Sequence, residues 1–246
     1  MKKSIISYSL LSVLVFLLLW EGSTYVFGIE KWILPGPVVI INEFFVSLYF
    51  IHEDLYYTAE VAIVGLLIGV LFGMITASLL HFFPTMRKIF YPYVVFSQNI
   101  PIIAMAPLLI IWFGFGLESK LIVVSLICFF PVAVSMLDGF SHSDETLIIY
   151  MKMEGASRWD IFLHLECPSA LPSFFSGLKL SATYSVMGAV IAEWLGSEKG
   201  LGVMMTLASH SFRTDRVFVA ILLIVLLSTG LFTAISFMER KLVFWL

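Results

Sequence analysis

Six stretches of this chain are long enough and free enough of charge to dissolve in hydrocarbon rather than water. They cover residues 4–20, 61–80, 89–113, 121–137, 174–193 and 217–238, and only Lys179 and Glu193 interrupt them, each near an end. A helix needs about 20 mainly apolar residues to cross a bilayer core. Residues 61–71 and 221–227 show none of the period-two alternation that a barrel strand carries, so the stretches read as helices. Hydrophobic residues make up 60% of the 246 and charged residues 13%. That leaves too little polar surface for a water-soluble body. The expected fold is an all-α integral membrane protein with six transmembrane helices in one domain, residues 1–246, surrounded by membrane lipid.

Met1-Lys2-Lys3 ahead of the first run imitates a secretory leader, but no small-residue cleavage site follows Trp20, so the run reads as an uncleaved span. An even number of spans puts both termini on one side. With those termini in the cytoplasm, nine Lys and Arg (2, 3, 87, 88, 152, 158, 179, 240, 241) lie inside and five (31, 120, 199, 213, 216) outside. The positive-inside rule favours that orientation. A net charge of −3 offers no basic face for nucleic acid. Gly65, Gly69 and Gly73 recur every fourth residue, a ridge that admits another helix closely. It reads as packing within the bundle, with a dimer face as the alternative. Cys128 and Cys167 read as free thiols.

One segment, 138–172, is neither span nor short turn. It carries Asp138, Asp144, Glu145, Lys152, Glu154, Arg158, Asp160 and Glu166, and the orientation above places it in the cytoplasm. Acids at 144 and 145 suit a helix start, and Gly155 suits its end. Ser157-Arg158-Trp159-Asp160 then has the pattern of a capping box opening a second short helix, expected to finish before Pro168. Trp159, Phe162 and Leu163 would share a face of it. Two readings stay open: an amphipathic hairpin resting on the membrane, or a docking element for a soluble partner.

Glu154-Gly155-Ala156-Ser157-Arg158-Trp159, with Leu165-Glu166-Cys167-Pro168, resembles the cytoplasmic "EAA" loop of binding-protein-dependent ABC importer permeases; Gly155 and Pro168 keep its spacing. Ile100-Pro101-Ile102-Ile103-Ala104-Met105-Ala106-Pro107-Leu108 with Trp112-Phe113-Gly114-Phe115-Gly116 is similar to a signature of the nitrate/sulfonate/taurine-type members. So are Ala192-Glu193-Trp194-Leu195-Gly196, Gly200-Leu201-Gly202 and Arg213-Thr214-Asp215. The E-A-A triplet itself is replaced by Ile149-Tyr150-Met151, and Glu154 is the nearest acid downstream.

The resemblance implies a type I importer permease in the bacterial inner membrane. Two copies would form a channel, each with an ABC ATPase subunit beneath, and an extracytoplasmic solute-binding protein would deliver the solute. ATP and magnesium would belong to the partner ATPase, and this chain would carry no cofactor, metal or catalytic residue of its own. Consistent with that, no G-x-x-x-x-G-K-[ST] loop occurs in the sequence. Glu154, Gly155, Ala156, Ser157, Arg158, Trp159, Phe162 and Pro168 are the expected ATPase-coupling residues.

For the translocation pathway the candidates are Gln98, Asn99, Pro101 and Pro107, where prolines break the third span, together with Ser181, Tyr184, Ser185 and Glu193. Gln98 and Asn99 read equally as repair of the broken backbone, the two serines as helix–helix hydrogen bonds, and Glu193 as a gate, a docking residue or an interfacial boundary. Substrates implied by the family range from nitrate, sulfonates and taurine to riboflavin and pyrimidine precursors of thiamine, with the segment 192–202 leaning towards the last two.

Two other classes compete. An intramembrane enzyme needs a catalytic constellation, yet His52, His81, His142, His164 and His210 all fall in or beside loops and no G-x-S-x-G occurs. His164, Glu166 and Cys167 do not share a helical face as metal ligands would. An ion-coupled transporter needs ionisable groups at mid-membrane, whereas Lys179 and Glu193 sit near span ends.

Overall fold

The computed structural model describes residues 2–244, with side chains described for residue 8 and from residue 11 onward. Helices are the regular elements of that region: α1 (Lys2–Val26), α2 (Pro37–Phe82), α3 (Pro84–Ser97), α4 (Ile102–Phe113), α5 (Leu117–Ser141), α6 (Glu145–Met153), α7 (Arg158–Ile161), a π-turn (Phe162–Glu166), α8 (Cys167–Trp194), α9 (Leu201–His210) and α10 (Thr214–Leu242).

Four helical segments are long and apolar enough to cross a membrane alone: Pro37–Phe82, Leu117–Ser141, Arg158–Trp194 and Thr214–Leu242. α3 and α4 qualify only as a pair, and they are bent by 100° at the break between them. The expected third span, where prolines break the helix, is therefore a sharp elbow. Pro101 is the N-cap of α4 and cannot continue the α3 ladder, so the chain turns at Gln98–Pro101. α1 is apolar from Leu11 to Val26, so part of the expected span 4–20 lies outside the described side chains.

Two boundaries differ from expectation. α2 begins at Pro37, not near Val61, and runs 46 residues, about 69 Å at the α-helical rise. Glu43, Glu53, Asp54 and Glu60 interrupt the apolar run there without interrupting the helix, because no glycine or proline follows Pro37 until Gly65. At the other end, α7 does not stop before Pro168. It passes through the π-turn into α8, making one segment, Arg158–Trp194, of 37 residues. A proline ring normally clashes with the carbonyl of the preceding turn. The wider π-turn just ahead of it relieves that clash.

α5 lies between α2 and α8. A methyl group on Gly69 would stand 2.6 Å from the Ser125 carbonyl oxygen and 2.7 Å from Cys128 Cβ, and one on Gly65 2.5 Å from Val124. Across the other face, one on Gly177 would reach the Pro131 carbonyl at 2.7 Å. The glycine ridge is thus internal packing of α2 on α5. Ser181 Oγ donates to the Cys128 carbonyl at 2.9 Å, and Ser185 Oγ to that of Ala182 at 2.9 Å. Lys179 does not merely reach for the interface; its Nζ pairs with Glu239 on α10 at 2.9 Å.

Gly69→Ala should destabilise the bundle by about 1–3 kcal/mol, the usual penalty of overpacking against backbone. Thermal unfolding in detergent measures it, with Gly230→Ala, whose added methyl meets open space, as the unaffected control.

Candidate functional site

Three polar assemblies stand out against the apolar bundle: the 138–172 loop, a cavity at the α3–α4 elbow, and a cluster at the opposite end of the bundle around Glu193.

The loop is built by local rules. Asp144 caps α6 by accepting from the Thr146 N–H at 2.8 Å. The helix ends in a Schellman arrangement in which the Gly155 N–H donates to the Lys152 carbonyl and the Ala156 N–H to that of Met151. Gly155 has φ of +84°, with open space where a side chain would be. Only its backbone conformation demands glycine. The expected capping box forms: the Ser157 N–H donates to Asp160 Oδ2 at 3.0 Å, and the Asp160 N–H to Ser157 Oγ at 3.2 Å.

The aromatic face of the second helix divides. Trp159 is 56% exposed, and Met153 and Leu163 are also exposed, but Phe162 is buried among Ala77, Leu80, Leu137 and Phe140. Phe162 is therefore an anchor rather than part of a presented surface. Pro168 is likewise half-buried at the start of α8. Glu154 is exposed and makes no hydrogen bond to another described side chain.

At the elbow, residues 98–102 form with α5 and α8 an open cavity of about 600 Å³. Gln98, Asn99, Pro101 and Tyr184 line it together with Ser135 and apolar side chains of α5 and α8; no charged residue does. Asn99 Nδ2 donates to the Val95 carbonyl at 3.0 Å, mending part of the broken ladder. The Gln98 amide and the Ser135 and Tyr184 hydroxyls make no hydrogen bond to another described residue. The other expected pathway residues lie elsewhere: Ser181 and Ser185 are consumed within and between helices, Pro107 is inside α4 away from the cavity, and Glu193 is at the far end of α8.

Glu193 is 1% exposed, not an interfacial residue. It receives the Thr58 hydroxyl at 2.8 Å and the Gly202 N–H at 2.8 Å. Thr58 Oγ1 in turn accepts the Leu201 N–H at 2.9 Å, and Asp54 accepts that of Gly200 at 2.8 Å. Three successive backbone donors that open α9 are thereby satisfied by α2 and α8, and the two carboxylates sit at the positive end of its dipole. Gly200 and Gly202 are small because Glu193 lies against them; a methyl on Gly200 would stand 2.3 Å from its carboxyl carbon. Buried Lys120 completes the cluster by donating to Tyr57 Oη and Ser197 Oγ, each at 2.8 Å. Asp54, Thr58 and Lys120 were not candidates from sequence; the Gly-Leu-Gly spacing was the one local sign of a buried partner. Beyond α9, Arg213 and Arg216 both pair with Glu43 of α2, at 3.0 and 2.8 Å.

Residues 69–243 match the pattern of a family described as binding-protein-dependent transport system inner membrane component. The chain belongs to that family. It is 33% identical over 234 residues to a probable ABC transporter permease protein of Haemophilus influenzae, covering 95% of this chain and 96% of the relative. It is also 33% identical over 235 residues to the formylaminopyrimidine transport permease protein ThiX of Halalkalibacterium halodurans, covering 94% and 93%. The riboflavin transport system permease protein RibX of Chloroflexus aurantiacus is 29% identical over 236 residues, covering 95% and 88%. A chain of the MetNI methionine ABC transporter, solved in inward facing conformations, superposes with a TM-score of 0.69 at 17% identity, over 80% of this chain and 97% of that one, which shows the shared fold.

The protein is thus an all-α type I ABC importer permease, a multi-pass inner-membrane protein that works with a separate ATPase subunit and a solute-binding protein.

Glu193→Ala should leave the Gly202 N–H unpaired and speed its hydrogen exchange by about tenfold or more, since a buried hydrogen bond to a charged group is worth about 1.5–3 kcal/mol. Exchange read by mass spectrometry should change at 200–204 and not at 157–161.

Proposed function

We propose that two copies of this chain form the conduit of an ATP-driven importer and that residues 144–168 receive the ATPase. Six spans serve each copy: α1, α2, the α3–α4 elbow, α5, α8 and α10. Both termini and the loop face the cytoplasm, where the excess of Lys and Arg lies. ATP and magnesium are held by the partner subunit.

The observation that carries this reading is the half-exposed Trp159, flanked by exposed Met153 and Leu163, on an elbow rigidly fixed to the bundle. Apolar side chains held in fixed geometry outside the span are what a helix-in-groove contact requires. Glu154, Gly155, Ala156, Ser157 and Arg158 shape that elbow, while Phe162 and Pro168 root it.

The 600 Å³ cavity at Gln98, Asn99, Pro101 and Tyr184 is the proposed solute path. Its uncharged lining suits a small neutral heterocycle, such as a thiamine pyrimidine precursor or a riboflavin-like compound, better than a sulfonate or nitrate. The named relatives ThiX and RibX support that choice over the sulfonate and taurine permeases, which also match. Binding measurements on the cognate solute-binding protein test the solute directly.

Gly155→Val should abolish uptake while leaving the chain at normal abundance in the membrane, because a β-branched residue resists the left-handed conformation by about 1–2 kcal/mol and the elbow must refold around it. Trp159→Ala should reduce co-purification of the ATPase. Normal uptake and normal co-purification in both variants would remove the loop from the mechanism.

A further inference from the structure

The coupling elbow touches more than the helix it feeds. Arg158 Nη2 donates to the Phe82 carbonyl at 2.9 Å and to that of His81 at 3.3 Å. These are the last carbonyls of α2, which have no partner within the helix, and a cation there also meets the negative end of the dipole. The guanidinium lies over the Phe82 ring, 5.5 Å from its centroid. Trp159 stacks on the same ring at 5.7 Å and 24°, and Phe162 packs against it at 4.5 Å. From the far side of the π-turn, Glu166 Oε2 lies 2.7 Å from His81 Nε2, with both side chains largely buried. The His81 ring rests on Phe140 of α5 at 4.6 Å.

Contacts on both sides of the π-turn thus grip the same two residues of α2, His81 and Phe82. The position of that grip matters for the cavity. Phe83 alone separates α2 from α3, and α3 runs to Ser97, one residue before Gln98 on one wall of the cavity. α8, which the π-turn enters directly, carries Tyr184 on the facing wall. α3 is further tied to the end of α5, where Arg87 Nη2 donates to Ser141 Oγ at 2.8 Å.

We infer that His81 and Glu166 are positioning residues that lock the coupling elbow to the inner end of α2, so that one displacement of the elbow reaches both walls of the cavity. This rests on the reading of the elbow as the ATPase contact. Without the lock, only Arg158 and the ring contacts at Phe82 would tie a moving elbow to the α2–α3 corner, which would follow α8 less completely. ATP hydrolysis would continue and less import would follow.

The test uses the complete transporter, this chain with its ATPase and binding protein, reconstituted in liposomes. Import and ATP hydrolysis are measured on the same preparation for the native chain, His81→Ala, Glu166→Ala, the double variant and His81→Gln. Because both alanine variants remove a largely buried side chain and none of the exposed ones proposed to meet the ATPase, the ATPase should co-purify and hydrolyse at native levels, while solute imported per ATP falls about tenfold, as expected for a lost buried hydrogen bond to a charged group. The double variant should lose no more than the worse single one, because the two residues act as a unit. His81→Gln, whose amide can still donate to Glu166, should recover most of the ratio. If an alanine variant fails to accumulate in the membrane, Glu166→Gln takes its place, with a smaller fall expected. An unchanged ratio of import to hydrolysis, or losses that simply add, overturns the lock. Failure of the coupling reading itself shows separately, as native assembly and uptake in Gly155→Val and Trp159→Ala.

Discussion

Close approach of α2 and α8 to the two faces of α5 is the contact on which the other features of the molecule depend. Within lipid, helices gain little by hiding apolar surface from one another, so association comes from dispersion at short range and from polar groups that find partners. Gly65, Gly69 and Gly73 supply the short range on one face and Gly177 on the other, where even a methyl group would meet backbone or Cβ atoms. Ser181 adds a hydrogen bond across the second seam. With α5 held between its neighbours, its remaining surface fixes one side of the elbow cavity, and α8 fixes the next.

Apart from the Lys179–Glu239 pair that joins α8 to α10, the charged contacts described above lie at the two ends of this stack, where they fasten something onto α2. At one end Arg158 and Glu166 bind the elbow of residues 157–166 to His81 and Phe82. At the other, Glu193, Thr58 and Asp54 hold the start of α9, and Glu43 holds Arg213 and Arg216. A single helix of 46 residues, about twice as long as a hydrocarbon core is thick, thus joins the two polar ends of the bundle.

What the sequence made legible was local or periodic. The glycine ridge, the Ser157–Asp160 capping box and the helix stop at Gly155 are each encoded within a few residues, and each forms as read. The upstream half of α2 was hidden because acids interrupt hydropathy without interrupting a helix. The π-turn was hidden because it has no composition of its own, and Pro168 looked like an end when it is a continuation. The partners of Glu193 were beyond reach for another reason. Thr58 lies 135 residues away, and nothing near either residue names the other. Ser181 and Ser185 follow the packing reading open to them from sequence, each donating to a backbone carbonyl between or within helices.

The uncharged lining of the cavity bears on how the proposed conduit would work. A pathway must hold its solute strongly enough to admit it and weakly enough to release it. A buried Arg or Lys facing the solute would bind an anion tightly and would itself be expensive to hold in the membrane. Amide and hydroxyl groups at Gln98, Ser135 and Tyr184 can replace part of a solute's hydration without trapping it. Selection by tight binding then falls to a protein outside the membrane. On that proposal the energy of ATP goes to displacing helices rather than to prising a ligand loose, and a stiff connection from the elbow to both cavity walls is what such a division of labour would require.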